Sequence, residues 1–256
     1  MLKLKRAEEI EHLRENNQIV SKTLAELGRM IQPGVTTLQL DQRAEEFIRD
    51  HGAVPGFLGY GGFPNSICTS VNDAVVHGIP SDYPLREGDI ISIDCGTIKN
   101  GFYGDSAYTF TVGQVEEQVS SLLKATRESL FKGIEQAIAG NRVGDISWAV
   151  QHHAESAGFS VVREMVGHGL GANMHEAPEI PNYGKRGRGP QLKEGLVICI
   201  EPMINMGSRS IKQDRDGWTI RTMDGKPSAH FELALAIRNG EADILSTFDY
   251  IEQRSN

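Results

Sequence analysis

The sequence predicts an α+β protein in which a helix, helix, strand unit occurs twice. Two near-identical segments carry the prediction, LREGDIISID (85–94) and LKEGLVICIE (192–201). Each is a short, β-branched run that follows a Glu-Gly turn and ends on a carboxylate, which is typical of a strand. Helical periodicity precedes each segment. We therefore predict one catalytic domain over 1–256, with pseudo-repeat halves at about 5–113 and 116–245.

The elements of the first half follow from local signals. Helical periodicity runs from about Ala7 to Met30 and, after a Pro-Gly break and a new N-cap, from Gln39 to His51. A loop follows at Gly59 to Pro64. Residues Cys68 to Ile79 then read as a strand, and the first carboxylate hairpin closes near Gly113.

The second half repeats this order. We predict helices from Glu117 to Ala139 and from about Asp145 to Ala157, the latter ending at Gly158. The second carboxylate segment follows them.

The carboxylates are the chemically informative residues of the repeat. Alternation puts Asp94 on one face with Ile90 and Ser92, and Glu201 on one face with Cys199. Each segment is followed by a second acid in strand-like sequence, Asp105 and Glu232. For any single acid, a turn cap or an ion pair is the default interpretation. Four carboxylates brought together by two related hairpins instead predict a divalent metal site.

Composition limits the class of protein. The 256 residues are 39% hydrophobic and 23% charged, with a net charge of −8, which is typical of a soluble globular protein. The one dense basic stretch, 185–188, does not indicate a nucleic-acid surface. The N-terminus is charged and helix-like and no run of 18 apolar residues occurs, so we predict a cytoplasmic protein without a membrane segment.

The cysteines do not indicate a disulfide framework. Cys68, Cys95 and Cys199 are odd in number and form no C-x-x-C pair, so neither a disulfide network nor a structural zinc site is predicted. Cys199 lies on the predicted face of Glu201, but a small buried core residue is its expected role.

The segment GHGLGANMHEAP (167–178) is the other candidate site. Glycines on both sides of His168 allow close backbone approach, as expected where a side chain is aimed rather than packed. A neutral imidazole beside four acids completes a five-ligand set that suits Mn, Fe(II), Co or Zn. Such mixed ligation of two metals is a hydrolytic arrangement.

These residues carry a family resemblance over nearly the whole chain. The sequence resembles type I methionine aminopeptidases, members of the pita-bread fold family. The matching phrases are SVNDAVVHGIP (70–80), Asp94 with Asp105, GHGLG (167–171), HEAP (175–178), IEPM (200–203) and DGWT (216–219). Their number and order make the match specific. It implies a pita-bread fold with pseudo-twofold halves around a central antiparallel sheet.

The resemblance implies a metal-dependent enzyme that removes the initiator methionine from nascent chains with a small second residue. Asp94, Asp105, His168, Glu201 and Glu232 match the ligands of two divalent ions. Glu201 also matches the general base that takes a proton from the attacking water. His175 matches a group that stabilises the oxyanion, and His77 one that hydrogen-bonds the scissile amide.

The resemblance also implies a methionine pocket. The matching residues are Tyr60, Phe63, Cys68, Met174 and Trp218, with His77 and His175 also contacting substrate. The resemblance further implies the N-terminal Met of nascent polypeptides as partner and a ribosome contact, for which 185–188 is a weak candidate. No heptad seam indicates obligate assembly, so we expect a monomer.

Departures from the family pattern concern the last acid. Members commonly have Gln two residues before it and His after it, where this chain has His230 and Leu233. Alternation puts His230 on the face of Glu232, so we hypothesise a contact with the metal site or its ligands. Phe57 replaces a smaller residue near the pocket. Cys95 should face away from the site.

Three alternatives remain open in the sequence. Some pita-bread proteins lack metal ligands and bind peptides, histones or RNA. Such a binding module does not require five ligand-type residues together with His77 and His175, so their presence favours the enzyme. Proline-specific relatives usually carry an added N-terminal domain, whereas residues 1–115 of this chain already belong to the first half of the predicted repeat. A type II methionine aminopeptidase needs a helical insertion between His175 and Glu201, and the interval here is too short for one.

Overall fold

A computed structural model describes residues 2–252 of the chain. It contains five α-helices in this range, α1 Ala7–Gly28, α2 Thr37–Asp50, α3 Glu117–Ile134, α4 Val143–Ser156 and α5 Asp249–Glu252. The first two helices of each predicted half are therefore confirmed. Helix α2 begins with a capping box, in which the Thr36 hydroxyl accepts from the Gln39 amide and the Gln39 side chain accepts from the Thr36 amide.

The strands are short except for one long hairpin. They are β1 Val54–Pro55, β2 Ile67–Val71, β3 Ala74–Val76, β4 Ile90–Lys99, β5 Phe102–Thr111, β6 Ser160–Val161, β7 Gly167–Gly169, β8 Glu176–Ile180, β9 Val197–Ile200, β10 Met203–Asn205, β11 Ile211–Gln213, β12 Ile220–Thr222, β13 Ser228–His230, β14 Leu233–Ala236 and β15 Asp243–Ile244. A short 3₁₀ turn covers Tyr60–Gly62.

Two sheets carry the carboxylates. In the first half, β5 pairs with β4 along its whole length, and β1 and β2 pair with successive parts of β4 along its other edge. In the second half, the strand order is β15, β14, β9, β7, β8. All of these pairings are antiparallel. Two further three-stranded sheets, β13-β10-β6 and β11-β12-β3, complete the strand pairing.

The two halves join at the second acid of the second half. Glu232 forms an isolated antiparallel bridge with Ala107 of β5, donating its amide to the Ala107 carbonyl at 2.9 Å. The Ser106 hydroxyl donates to the Glu232 carbonyl at 2.6 Å. One continuous network of backbone and hydroxyl hydrogen bonds therefore connects the first sheet to the second.

Each half has its own apolar cluster. In the first half, helices α1 and α2 bury residues such as Leu24 and Ile48 against Ile91 and Ile93 of β4. In the second half, α3 and α4 cover β9 and β14 through a second cluster that includes Leu130, Ile146 and Ile200. This helix-on-sheet packing leaves the opposite sheet faces to form the site.

Three boundary predictions are wrong. The predicted strand Cys68 to Ile79 is two strands, since Asn72 and His77 adopt left-handed backbone conformations that interrupt it. The predicted helix to Ala139 ends at Ile134, and the Ala139 amide donates instead to the Arg238 carbonyl. Glu232 lies between β13 and β14 rather than within a strand.

Candidate active site

The first two acids share a face because of the β4–β5 register. Asp94 pairs with Ala107 and Gly96 pairs with Asp105, so the two aspartates are diagonal neighbours whose side chains point to one side of the sheet. Cys68 of β2 lies directly opposite Asp94 on the same face. Cys95 points the other way, into the apolar cluster of the first half, as predicted.

The second pair of acids follows from the β9–β14 register. Leu233 pairs with Ile200, and extending this pairing by one position sets Glu232 opposite Glu201. Gly169 of β7 pairs with Ile198. The same alternation therefore places His168 beside Cys199, on the face that carries both glutamates.

The side chains converge in the folded chain. Asp105, His168, Cys199 and Glu232 each offer a ligand atom within 4.8 Å of the others. His168 Nε2 lies 3.7 Å from Asp105 Oδ2 and 3.5 Å from Glu201 Oε1. Cys199 is buried as predicted. It also lies beside the acids, which a role as an ordinary core residue does not predict.

The orientation of His168 suits metal ligation. Its Nδ1 lies 3.0 Å from the Gly169 carbonyl, a contact that requires a proton on Nδ1. Nε2 then presents a lone pair toward Asp105 and Glu201. Burial lowers the pKa of His168 to about 4, so the ring is neutral at neutral pH.

The acids are electrostatically crowded. Burial raises the pKa of Asp94. For Asp105, Glu201 and Glu232, burial and the charges of neighbouring acids together raise the pKa well above the ordinary value. Within residues 2–252, the buried atoms Asp94 Oδ1, Asp105 Oδ1 and Glu232 Oε1 have no hydrogen-bond partner. Unpartnered carboxylate oxygens beside one imidazole lone pair fit a divalent cation.

All of the predicted site residues line one cavity of about 140 Å³. The structure brings together the acids and histidines Asp94, Asp105, His168, Glu201, Glu232, His77 and His175 with the pocket residues Tyr60, Phe63, Cys68, Met174 and Trp218, and adds Phe57. Sequence reasoning noted Phe57 only as a departure from the family.

The apolar end of the cavity is well packed. Phe57, Phe63, Cys68 and Met174 are buried and form a small cluster against which Trp218 packs. The rings of Phe63 and Trp218 meet edge to face at 5.2 Å. Asp216 fixes the Trp218 backbone, since its Oδ1 accepts from the Trp218 amide at 2.8 Å.

The other two histidines approach from the rim. His77 has a φ of 59°, a left-handed conformation that is uncommon outside glycine and often marks functional residues. The next residue must be Gly78, because an added Cβ would lie 2.2 Å from the Thr69 carbonyl oxygen. The Tyr60 hydroxyl lies 2.8 Å from His175 Nδ1, a contact that no sequence pattern indicated.

His230 lies beside the acids, as the hypothesis on this residue requires. It is buried, and its Nε2 lies 3.7 Å from Glu201 Oε2. Glu201 therefore has an imidazole near each oxygen, His168 on one side and His230 on the other. Burial lowers the pKa of His230 to about 3, so this ring is also neutral.

Comparison with known proteins identifies the family. Residues 11–239 match the family described as Metallopeptidase family M24. The chain belongs to metallopeptidase family M24. It is 51% identical to a methionine aminopeptidase of Clostridium acetobutylicum, covering 96% of this chain and 99% of the relative. It is 50% identical to methionine aminopeptidase 1 of Bacillus subtilis, over 96% of this chain and 99% of the relative.

Solved structures agree with this family assignment. The crystal structure of methionine aminopeptidase from Rickettsia prowazekii has a TM-score of 0.95 and 40% identity, covering 96% of this chain and 100% of that one. A prolidase from Pyrococcus furiosus has a TM-score of 0.79 at 23% identity, and the match covers 65% of its chain, which shows the fold alone.

These findings confirm three predictions. They are the resemblance to type I methionine aminopeptidases, the pita-bread fold, and the enzyme class, a methionyl aminopeptidase that acts as a metallo-exopeptidase. Family membership and the convergent acids also indicate that the enzyme uses divalent metal. Among residues 2–252, no helix is both long enough and apolar enough to cross a membrane.

Proposed function

We propose that this enzyme removes the initiator methionine from polypeptides whose second residue is small, and that it uses two divalent ions to do so. One observation carries the proposal. A single cavity joins an apolar, sulfur-containing pocket to a cluster of four acids and three histidines. An exopeptidase that selects methionine requires such a pairing of pocket and hydrolytic centre.

We assign the metal ligands to Asp94, Asp105, His168, Glu201 and Glu232. Their support is the set of unpartnered buried oxygens and the inward lone pair of His168. When bound, the ions lower the pKa of water toward neutrality and polarise the scissile carbonyl. Mn, Fe(II), Co and Zn all suit a donor set of carboxylates and one imidazole.

Glu201 acts as the general base in this proposal. Its carboxylate lines the cavity among the other proposed ligands, where it can accept a proton from a water in the site. It takes the proton of the attacking water and passes it to the leaving amine.

The two rim histidines act on the substrate. His175 donates a hydrogen bond through Nε2 to the developing oxyanion, because Tyr60 occupies its Nδ1. His77 hydrogen-bonds the scissile amide, and its strained backbone fixes the direction of its ring.

The pocket selects methionine by its shape and softness. Phe63, Cys68 and Met174 present polarisable, apolar surface to an unbranched thioether. Tyr60 and His175 stand at the exposed mouth and contact each other, so a bulky second residue would meet them on entry. This arrangement favours a small second residue.

The test is peptide cleavage by chelator-stripped protein with single metals added back. We expect free methionine from Met-Gly-Met-Met and little from Met-Leu-Met-Met, with no release before metal addition. Equal release from both peptides would contradict the small-residue preference. No release with any metal, in folded protein, would favour a peptide-binding module instead.

A further inference from the structure

A buried ion pair ties the N-terminal segment to the hairpin that carries His168 and His175. Lys5 Nζ donates to Glu176 Oε2 at 2.6 Å, and the two side chains are 6% and 2% exposed. These residues are 171 positions apart. Buried charges are costly unless they are paired, so this contact requires a structural or functional reason.

Glu176 lies next to the site on two sides. It directly follows His175 along the chain, and it begins β8 opposite Gly169, the neighbour of His168. Its second oxygen closes the loop between these histidines, since Oε1 accepts from the Asn173 amide at 3.3 Å and from Lys3 Nζ at 3.3 Å. The carboxylate therefore holds the loop that aims His175.

Lys5 is itself anchored to the second acid segment. Its amide donates to the Gly195 carbonyl at 2.7 Å, and Leu4 forms a bridge with Leu196 immediately before β9. Strand β9 leads to Glu201. The ion pair thus connects the start of the Glu201 segment to the His175 loop.

The lack of a side chain at Gly171 leaves room for the Lys5–Glu176 pair. A Cβ on Gly171 would lie 2.7 Å from both Glu176 Oε1 and Lys5 Cε. Burial raises the pKa of Glu176, but the hydrogen bond and charge of Lys5 outweigh it and hold the pKa below the ordinary value. The carboxylate is therefore ionised at neutral pH and the pair is intact.

We propose that Lys5 and Glu176 are positioning residues that fix the ring of His175 against Tyr60 and the substrate carbonyl. The role of His175 rests on the proposed function. The ion pair acts through the loop and touches no substrate.

The experiment compares Lys5→Met and Glu176→Gln with Arg14→Met as matched control. Arg14 also joins the N-terminal region to a distant acid, Asp243, at 2.8 Å, and neither residue lines the cavity. We expect kcat on Met-Gly-Met-Met to fall about tenfold to a hundredfold in both test variants, in line with a displaced oxyanion donor. KM should change by less than about threefold, and Arg14→Met should keep the wild-type kcat.

A spectroscopic readout separates positioning from general destabilisation. The imidazole Cε1–H NMR signal of His175, assigned with His175→Asn, should move in both test variants. The signal of His152, which stacks on Trp148 away from the site, should stay in place. Should Glu176→Gln fail to fold, Gly171→Ala displaces the same pair without removing a charge and should give the same result as Lys5→Met.

Two results would overturn the proposal: a His175 signal at its wild-type position, or a kcat within twofold of wild type, in the folded test variants. Absence of methionine release by the wild-type protein would count against the proposed function alone. The His175 signal would then decide the positioning proposal by itself.

Discussion

The two acid-bearing halves of the molecule build their shared site in different ways. In the first half, Asp94 and Asp105 lie within ten-residue strands that pair without interruption from Ile90–Thr111 to Lys99–Phe102. In the second half, Glu201 stands just past the four-residue strand β9 and is followed by Pro202, while Glu232 lies between two strands.

The difference extends to the neighbours of the acids. The first half supplies short aspartates on a regular hairpin, with Cys68 beside Asp94. The second half supplies longer glutamates, of which Glu201 lies between His168 and His230. We interpret the first half as a regular platform for two of the proposed metal ligands, and the second half as the part that adds the proposed general base, Glu201, to its own ligands.

Removal of an acid that is proposed only as a metal ligand should have the largest effect. Asp105→Asn is expected to abolish metal binding and to lower kcat/KM by about 10³-fold or more, because the metal supplies several kcal/mol of transition-state stabilisation. Bound metal per protein and methionine release measure this. The matched control Asp82→Asn changes an exposed acid and should behave as wild type.

A change at Glu201 should separate rate from binding. We expect Glu201→Gln to lower kcat by about 10²-fold to 10³-fold through loss of the general base, while the amide oxygen still permits metal to bind. Metal content and kcat should be measured on the same sample. Glu194→Gln, an exposed acid in the same segment, serves as control. Equal loss of metal in Glu201→Gln and Asp105→Asn would remove the distinction between the halves.

His230 tests the surroundings of the second-half acids. If its Nε2 orients Glu201, His230→Gln should weaken metal affinity by about tenfold, the scale expected when a group that orients a ligand is changed. Competition with a fluorescent chelator measures the affinity. Unchanged affinity and rate would exclude a role for His230 in the site.

Stability against pH gives the smallest expected effect. The raised pKa values of the four acids make stability fall as pH rises, whereas the lowered pKa values of His168 and His230 make it rise with pH until the unfolded imidazoles lose their protons near pH 6.5. Above that pH the acids dominate, so the stability of chelator-stripped protein should fall as pH rises from about 6.5 to 8. Each pKa unit of difference is about 1.4 kcal/mol. We expect the melting temperature to fall by at least about 2–4 °C.

The pH dependence has its own control. Asp105→Asn removes one of the buried acids, so its chelator-stripped form should lose less stability over the same range. Metal should reverse the trend in the wild type, because ligands bind metal in their deprotonated form. Melting temperatures that rise with pH in stripped wild-type protein would show that the acids are not crowded as the structure indicates.

The sequence predicted the regular elements better than the interrupted ones. Alternation placed Asp94 and Cys95 on opposite faces correctly, since the β4–β5 pairing is unbroken. The strand assignment failed at Glu232, where a single bridge to Ala107 replaces a strand, because that bridge depends on the other half of the molecule. The Lys5–Glu176 pair could not be predicted, since no local pattern links residues so far apart.

The central claim is that acids from both halves form one metal centre on which catalysis depends. Its most direct test is titration of chelator-stripped protein with Mn while bound metal and release of methionine from Met-Gly-Met-Met are both followed. We predict no release without metal, two bound equivalents at saturation in wild type, and neither binding nor release in Asp105→Asn or Glu232→Gln. Full release by the stripped protein, or wild-type metal binding by either variant, would contradict the claim.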